Sequence, residues 1–191
     1  MGNTVGSLTQ EQKSIIIGSI LGDGYLRIVP GRKNAFLEIN HSISEKDYVD
    51  WKHLKLKDLV KSFPKQRMGK GVRIAYRFFT RQHPKLTEFY QKFYQDGKKI
   101  IPDLKLNSLM IAVWFMDDGS KSYETYYLNT QCFDYLSQKK LIKILKEQFG
   151  IESFLNRDKE YFRIRIKQSS ARRFKELIEN YIIPSMKYKL G

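Results

Sequence analysis

The 191-residue chain is short of the residues on which several familiar chemistries depend. It has one cysteine, Cys132, so no disulfide framework can form, and a reducing, intracellular compartment fits. Its histidines, His41, His53 and His83, have no zinc-ligand spacing and no second cysteine to join them. Acids are few, 20 against 35 Lys and Arg, which leaves +15 at neutral pH. An excess of that size is foreign to an ordinary small-molecule enzyme and points to a polyanion, nucleic acid first. The basic residues are dispersed rather than gathered in a juxtamembrane cluster, which argues against an anionic membrane surface. No apolar run approaches the roughly 20 residues of a membrane span, and Met1–Ser7 lacks the build of a signal peptide.

What is present is enough to fold. With 41% apolar and 29% charged residues, the chain can bury a core as one compact domain or as two fused half-domains. Its richness in Lys, Ile, Tyr and Phe points to an AT-rich gene, as in organelles. The chain is organised around Ile111-Ala112-Val113-Trp114-Phe115-Met116-Asp117-Asp118-Gly119, an apolar helix that ends in carboxylates and a glycine. A weaker copy, Ile16-Ile17-Gly18-Ser19-Ile20-Leu21-Gly22-Asp23-Gly24, lies upstream. The glycines suit a left-handed residue just past a helix C-terminus. A carboxylate there faces the negative end of the helix dipole and is disfavoured. Two such residues, Asp23 and Asp118, 95 positions apart, imply an external positive charge, and a divalent cation is the natural one. The chain therefore reads as two similar halves, each bringing one Asp to a shared centre.

Periodicity predicts the same order in both halves: helix, two strands, helix, two strands, helix. Thr9-Gln10-Glu11-Gln12 is a capping box opening a first helix to about Gly22. A hairpin over Tyr25–Val29 and Ala35–His41 follows, then a helix capped by Ser44 with Tyr48, Trp51, Leu54, Leu56, Leu59 and Val60 apolar. A strand at Gln66–Met68, a turn at Gly69-Lys70-Gly71, a strand over Val72–Thr80 and a helix over Lys85–Gln95 close the half. In the second, the Gly119 helix leads into a strand over Tyr123–Phe133. Ser137 caps a helix to Phe149, and a short strand spans Glu152–Asn156. Tyr161–Gln168 is the clearest strand, since Phe162, Ile164 and Ile166 alternate with Arg163, Arg165 and Lys167. Ser169 or Ser170 caps the last helix. Burying the apolar set leaves a basic face, echoed in the first half by Arg73, Arg77 and Arg81, and in the hairpin by Arg27, Arg32 and Lys33. Glu38 and Asn40 in that hairpin, and Asn129 and Gln131 in the second half, complete the set of candidate DNA-facing residues. A sheet with such a face can enter a major groove, where Arg and Lys reach guanine edges and phosphates.

The paired motifs resemble the signature helices of the LAGLIDADG homing endonucleases, and ILGDGYLRI and WFMDDGSK look most like its single-chain, intron-encoded subgroup. Lys98-Lys99-Ile100-Ile101-Pro102 and Ile183-Pro184-Ser185-Met186-Lys187-Tyr188-Lys189-Leu190 match it too, so the resemblance runs from about Ile15 to Leu190. It implies an α+β fold of two pseudo-symmetric αββαββα half-domains, residues 1–102 and 103–191, packed through the paired helices. Two saddle-shaped antiparallel sheets would straddle double-stranded DNA. The family's metal-ligating acid precedes the final glycine of the motif, which carries over to Asp23 and Asp118. Gly22 and Asp117 stand beside them as further metal-site candidates; Asp117 sits where most relatives have a small residue. Lys99 and Lys189 would each lie beside one scissile phosphate. The resemblance implies a monomer that uses Mg²⁺ to make double-strand breaks with short 3′ overhangs at a long site, with Mn²⁺ substituting and Ca²⁺ supporting binding without cleavage. An RNA maturase acting on intron RNA, and a non-catalytic DNA-binding regulator, are the other functions this fold supports; retention of both acids favours the nuclease. Nothing resembling splicing residues marks an intein. Gly18 and Gly22 offer room for close helix packing, whereas Val113 and Asp117 occupy the equivalent places in the second helix.

Overall fold

The computed structural model describes residues 6–69 and 73–191, and the chain divides into two compact units, Met1–Gln91 and Lys92–Gly191. The first contains α1 (Gln10–Leu21), β1 (Tyr25–Arg27), β2 (Phe36–Ser42), α2 (Lys46–Lys55), β3 (Lys65–Met68), β4 (Ile74–Phe79) and most of α3 (Pro84–Phe93). Its strands form an antiparallel sheet ordered β1-β2-β4-β3. The second opens with a small hairpin, β5 (Tyr94–Gln95) and β6 (Lys98–Lys99), and continues through α4 (Ser108–Asp118), β7 (Gly119–Ser122), β8 (Thr125–Leu128), α5 (Tyr135–Phe149), β9 (Ser153–Asp158), β10 (Tyr161–Ile166) and α6 (Gln168–Ile178). Its main sheet is ordered β7-β8-β10-β9, again antiparallel. The α+β plan αββαββα thus occurs twice, as the sequence predicts.

Both motif helices start from side-chain caps. Thr9 accepts from the Gln12 amide while Gln12 Oε1 accepts from the Thr9 amide, so orphan donors at the start of α1 are satisfied reciprocally. Asn107 caps α4 by accepting from the Met110 amide at 2.9 Å. Ile15–Leu21 and Met110–Asp117 are buried around the whole helical circumference, the pattern of helices enclosed by protein rather than resting on a surface. In the second unit Phe115, Tyr126 and Phe174 form an aromatic cluster under α4, with centroids 5.4–5.6 Å apart. Burial there pushes the Tyr126 phenol above its usual pKa.

The glycines that close the motifs do not have the conformation expected from the sequence. Gly119 has φ −87°, and neither it nor Gly24 is among the described glycines with positive φ. Close approach is the physical reason for both. A Cβ on Gly24 would lie 2.7 Å from the Ser19 carbonyl oxygen, and one on Gly119 would lie 2.1 Å from the Phe115 ring and 2.4 Å from its carbonyl oxygen. Each chain turns back across its own helix end, and only hydrogen fits there.

Several boundaries also differ. The strand expected over Tyr123–Phe133 forms only at Thr125–Leu128, where it pairs with β7, because Tyr123 adopts φ 51° and turns the chain between the two. Asp134, not Ser137, caps α5, accepting from the Ser137 amide at 2.7 Å. Lys167 occupies the cap position of α6 without a side-chain capping bond, where the sequence points to Ser169 or Ser170. Ser42 caps a single 3-10 turn before α2, which ends at Lys55. On α2 the apolar prediction fails at Leu54, which is 62% exposed, while Lys52 is fully buried with its ammonium 4.4 Å over the Tyr48 ring. Cys132 is exposed. The helix expected to Gln95 stops at Phe93, and Tyr94–Gln95 pairs as β5 with β6 across Asp96-Gly97, both of which have positive φ, as a two-residue hairpin turn requires. Lys70, Gly71 and Val72, part of the expected turn and strand start, lie outside the described residues, as do residues 1–5. Among the described residues no helix is long and apolar enough to cross a membrane.

Candidate active site and nucleic-acid interface

In the first unit, α1 ends as the Gly22 amide donates to the Gly18 and Ser19 carbonyls, and Asp23 follows directly. The β1–β2 register, Tyr25 opposite Glu38, returns the end of β2 to that point. His41 is therefore held beside Asp23: its Nδ1 is 3.6 Å from Asp23 Oδ2 and donates to Glu45 Oε2 at 2.9 Å. The imidazole is almost wholly buried, whereas the Asp23 side chain is about half exposed (49%). The His41 ring meets Tyr48 edge-on at 5.3 Å, and Tyr48 stacks on Trp51.

The second unit solves the same problem differently. Asp118 is the last residue of α4 and is half-buried; Asp117 is buried. The Asn129 amide donates to the Asp118 carbonyl at 2.9 Å, continuing the ladder of the β7–β8 hairpin. Lys189, from the C-terminal 3-10 segment Pro184–Leu190, donates its ammonium to the carbonyl oxygens of Met116 and, at 3.1 Å, Asp117. A cation thus sits at the negative end of α4, where the two carboxylates gather, and offsets the unfavourable dipole. Lys99 lies on β6, half-buried and opposite Tyr94.

The donor chemistry fits a hard divalent ion. Each helix terminus offers carboxylate oxygens, and among the described residues no group of three His, Cys, Asp or Glu side chains forms a complete cage. One or two carboxylates per ion, with water and phosphate oxygens filling the remaining positions, is the usual arrangement for Mg²⁺.

The outer face of each sheet is polar and basic. In the first, Arg27, Glu38, Asn40 and Arg77 share one face through the pairs Tyr25–Glu38, Glu38–Phe79 and Asn40–Arg77. Leu26, Leu37, Ile39 and Phe78 alternate onto the buried side. Glu38 stands between two guanidinium groups, 4.0 Å from Arg27 and 3.7 Å from Arg77. Arg77 also lies over the Phe79 ring, 5.1 Å from its centroid. Lys65, paired with Arg77, and Arg67, paired with Ala75, extend this face. The candidates read from sequence lack these two, although their alternation with Gln66 and Met68 is visible there. Arg73 continues the alternation of β4 and is exposed; Arg32 and Lys33 are exposed in the β1–β2 loop, and Arg81 just past β4.

In the second sheet, Arg163 and Arg165 both lie over Tyr127, with guanidinium carbons 3.9 and 5.5 Å from its centroid. Tyr127 is cross-strand to Arg165. Ile164 and Ile166 are buried as expected, but Phe162 is 39% exposed and packs edge-on against Tyr135. Asn129 follows β8 on the Tyr127 face, and Gln131 donates to Asp158 Oδ2 at 2.8 Å. Lys167 lies just past β10, where its ammonium donates to Glu152. With Lys146, it holds the Glu152 carboxyl below the usual carboxylate range.

Comparison with known proteins agrees with this architecture. Residues 13–174 match the model of the LAGLIDADG DNA endonuclease family. The chain is 32% identical to a probable intron-encoded endonuclease of Wickerhamomyces canadensis, covering 96% of this chain and 85% of that one. It is also 32% identical to the cytochrome b mRNA maturase bI2 of Saccharomyces cerevisiae, of which it spans only half the length. Among solved structures, the homing endonuclease I-WcaI bound to its DNA recognition sequence superposes with a TM-score of 0.91 at 27% identity, over 100% of this chain and 95% of that one. With the fold, the twin acid-ended helices and the family match in agreement, the chain belongs to the LAGLIDADG DNA endonuclease family.

Proposed function

We propose that the chain is a site-specific DNA homing endonuclease that makes metal-dependent double-strand breaks with short 3′ overhangs at a long recognition site. The observation that carries this is the duplicated pairing of an acid-ended apolar helix with a basic sheet face: Asp23 with Arg27, Arg77, Lys65 and Arg67, and Asp118 with Arg163 and Arg165. Asp23 and Asp118 hold Mg²⁺, or Mn²⁺ in its place, with Asp117 and the Gly22 carbonyl as nearby oxygen donors. When bound, such an ion supplies a polarised water and neutralises charge on the attacked phosphate. Lys189 and Lys99 add positive charge beside the reacting phosphates, an electrostatic role that needs no histidine base. The arginines of the two faces position the duplex through phosphates and read base edges. One monomer carries both acids, so each strand has its own carboxylate.

The yeast maturase likeness favours a second activity, assistance to splicing of a host intron RNA in an organelle. That activity needs the basic surface but not the acids. Cleaved sequences selected from a randomised DNA pool with Mg²⁺ define the target and test the nuclease. Asp23→Asn and Asp118→Asn are expected to abolish double-strand cleavage while binding in Ca²⁺ persists; loss of binding would contradict the metal role. Splicing assistance unaffected by both substitutions would assign the RNA activity to the same chain. A sedimentation result showing an obligate dimer would overturn the monomer.

A further inference from the structure

The two hairpins permit a residue-by-residue comparison of the halves. Tyr25, just after Gly24, and Gly119 open the two hairpin ladders. Tyr25 opposite Glu38 aligns position 23 with Asn40, and Gly119 opposite Leu128 aligns Asp118 with Asn129. Asn40 and Asn129 are therefore equivalents, and His41 is the equivalent of Thr130. Continuing four residues, Glu45 corresponds to Asp134. These equivalents do different work. In the second half Thr130 is fully buried, its carbonyl accepts from Gln138 Nε2, and Asp134 caps α5. In the first half the imidazole of His41 is bonded to Glu45 through Nδ1 and sets that same nitrogen 3.6 Å from the Asp23 carboxylate. Tyr48 flanks the ring, and the Lys52 ammonium lies over the Tyr48 ring. A buried ring held on one side by a carboxylate and on another by an aromatic cannot drift, so the Asp23 carboxylate beside it has a fixed neighbour.

We infer that His41 is a positioning residue for Asp23, anchored by Glu45 and specific to the half of the reaction that Asp23 serves. The inference rests on the metal-holding role of Asp23 proposed above. A residue that orients a metal-binding carboxylate typically affects ion affinity or activity by about 10- to 100-fold. In the other half the equivalent position is a threonine, which brings no imidazole to Asp118, and Lys189 holds the helix end through backbone oxygens. Removing the imidazole should therefore impair one strand's cleavage and leave the other.

His41→Leu fills the same apolar space without a donor, while His41→Asn keeps an N–H near the position of Nδ1. Tb³⁺ titration, read by emission sensitised by the protein's aromatic residues, measures ion binding without cleavage, with Asp23→Asn and Asp118→Asn identifying the two contributions. His41→Leu is expected to weaken the Asp23-dependent component by about tenfold or more, to leave the Asp118-dependent one unchanged, and to be partly rescued in His41→Asn. Equal Tb³⁺ binding in wild type and His41→Leu, or equal loss in the Leu and Asn variants, would overturn the inference and leave His41 a packing residue. On a selected duplex labelled on both strands, His41→Leu should accumulate a nick in one strand and raise the Mn²⁺ requirement of the other. Equal slowing of both strands would likewise overturn it. A wild-type protein that binds Tb³⁺ through Asp23 but cuts no DNA would refute the proposed function instead, and the Tb³⁺ comparison would still judge His41.

Discussion

Replacing Gly119 by alanine tests why glycine ends the motif helices. A left-handed backbone would make asparagine a tolerable substitute, since it visits that region readily. The observed φ of −87° makes conformation irrelevant and space decisive. An added Cβ would lie 2.1 Å from Phe115 Cδ2 and 2.4 Å from the Phe115 carbonyl oxygen. The ring cannot swing aside cheaply, because it packs edge-on against Tyr126 and Phe174, both buried. The oxygen cannot move without distorting the last turn of α4. Overpacking a filled core in this way costs about 1–3 kcal/mol, and contact with backbone as well as ring puts Gly119→Ala near about 3 kcal/mol. For a chain of this length that lowers Tm by about 6–12 °C. Gly119→Asn should be no milder. The contrast is Gly150, where φ is 65° and the nearest atoms belong to the Arg173 guanidinium, the far end of a flexible side chain; there Asn should be better tolerated than Ala. Calorimetric unfolding of the four variants decides the matter. Gly119→Ala unfolding with wild type, or Gly119→Asn proving much the milder of the pair, would refute the close-approach account.

Tyr127→Ala removes the ring on which Arg163 and Arg165 both rest, and the loss of preorganisation should weaken DNA binding by about 1–2 kcal/mol. Fluorescence anisotropy in Ca²⁺ measures it, and unchanged affinity would take that face off the DNA. Lys189→Met withdraws the ammonium from the Met116 and Asp117 carbonyls and should lower stability by up to about 2 kcal/mol, read as a fall in the urea midpoint; an unmoved midpoint would show the contact to be without consequence. Glu152 titrates below the usual carboxylate range because Lys167 and Lys146 favour its charged form. Its contribution to stability is present above the unfolded pKa of a carboxylate and disappears as pH falls through its own lower value. Glu152→Gln should therefore flatten the acid limb of a Tm-against-pH curve, and an unaltered limb would contradict the pairing.

The element order is legible because its signals are local. The Thr9 capping box, the alternation through Tyr161–Ile166 and the glycine after Phe149 each act over a few residues, and the structure follows them. Signals that compete within one turn of chain are not resolved by sequence. Asp134 and Ser137 are both good caps, and only packing decides between them. The strand predicted from Tyr123 starts only at Thr125, because Tyr123 takes a positive φ, which sequence pattern does not announce for a tyrosine. The acids of the site are visible through the motif. His41 has no ligand spacing to single it out, since its nearness to Asp23 is created by the β1–β2 register rather than by separation along the chain. The Arg163–Tyr127–Arg165 group is hidden for the same reason: half of it is alternation and half is cross-strand register.

Duplication of the fold has not duplicated the supports of its acids. Matched helices ending in matched acids invite a symmetric picture, with one external cation resolving two unfavourable helix ends. The second end already has its own permanent cation, Lys189, bonded to the last carbonyls of α4, and a second carboxylate, Asp117, close by. The first end is supported otherwise, because its acid faces an imidazole tied to Glu45. A lysine on backbone oxygens stabilises the helix whatever Asp118 does, so it leaves the orientation of that side chain to other forces. An imidazole beside the carboxylate acts on the side chain directly. The two acids therefore differ in which variable these supports fix, helix end in one unit and carboxylate position in the other, and under the proposed nuclease function substitutions in them should separate the two strand cleavages.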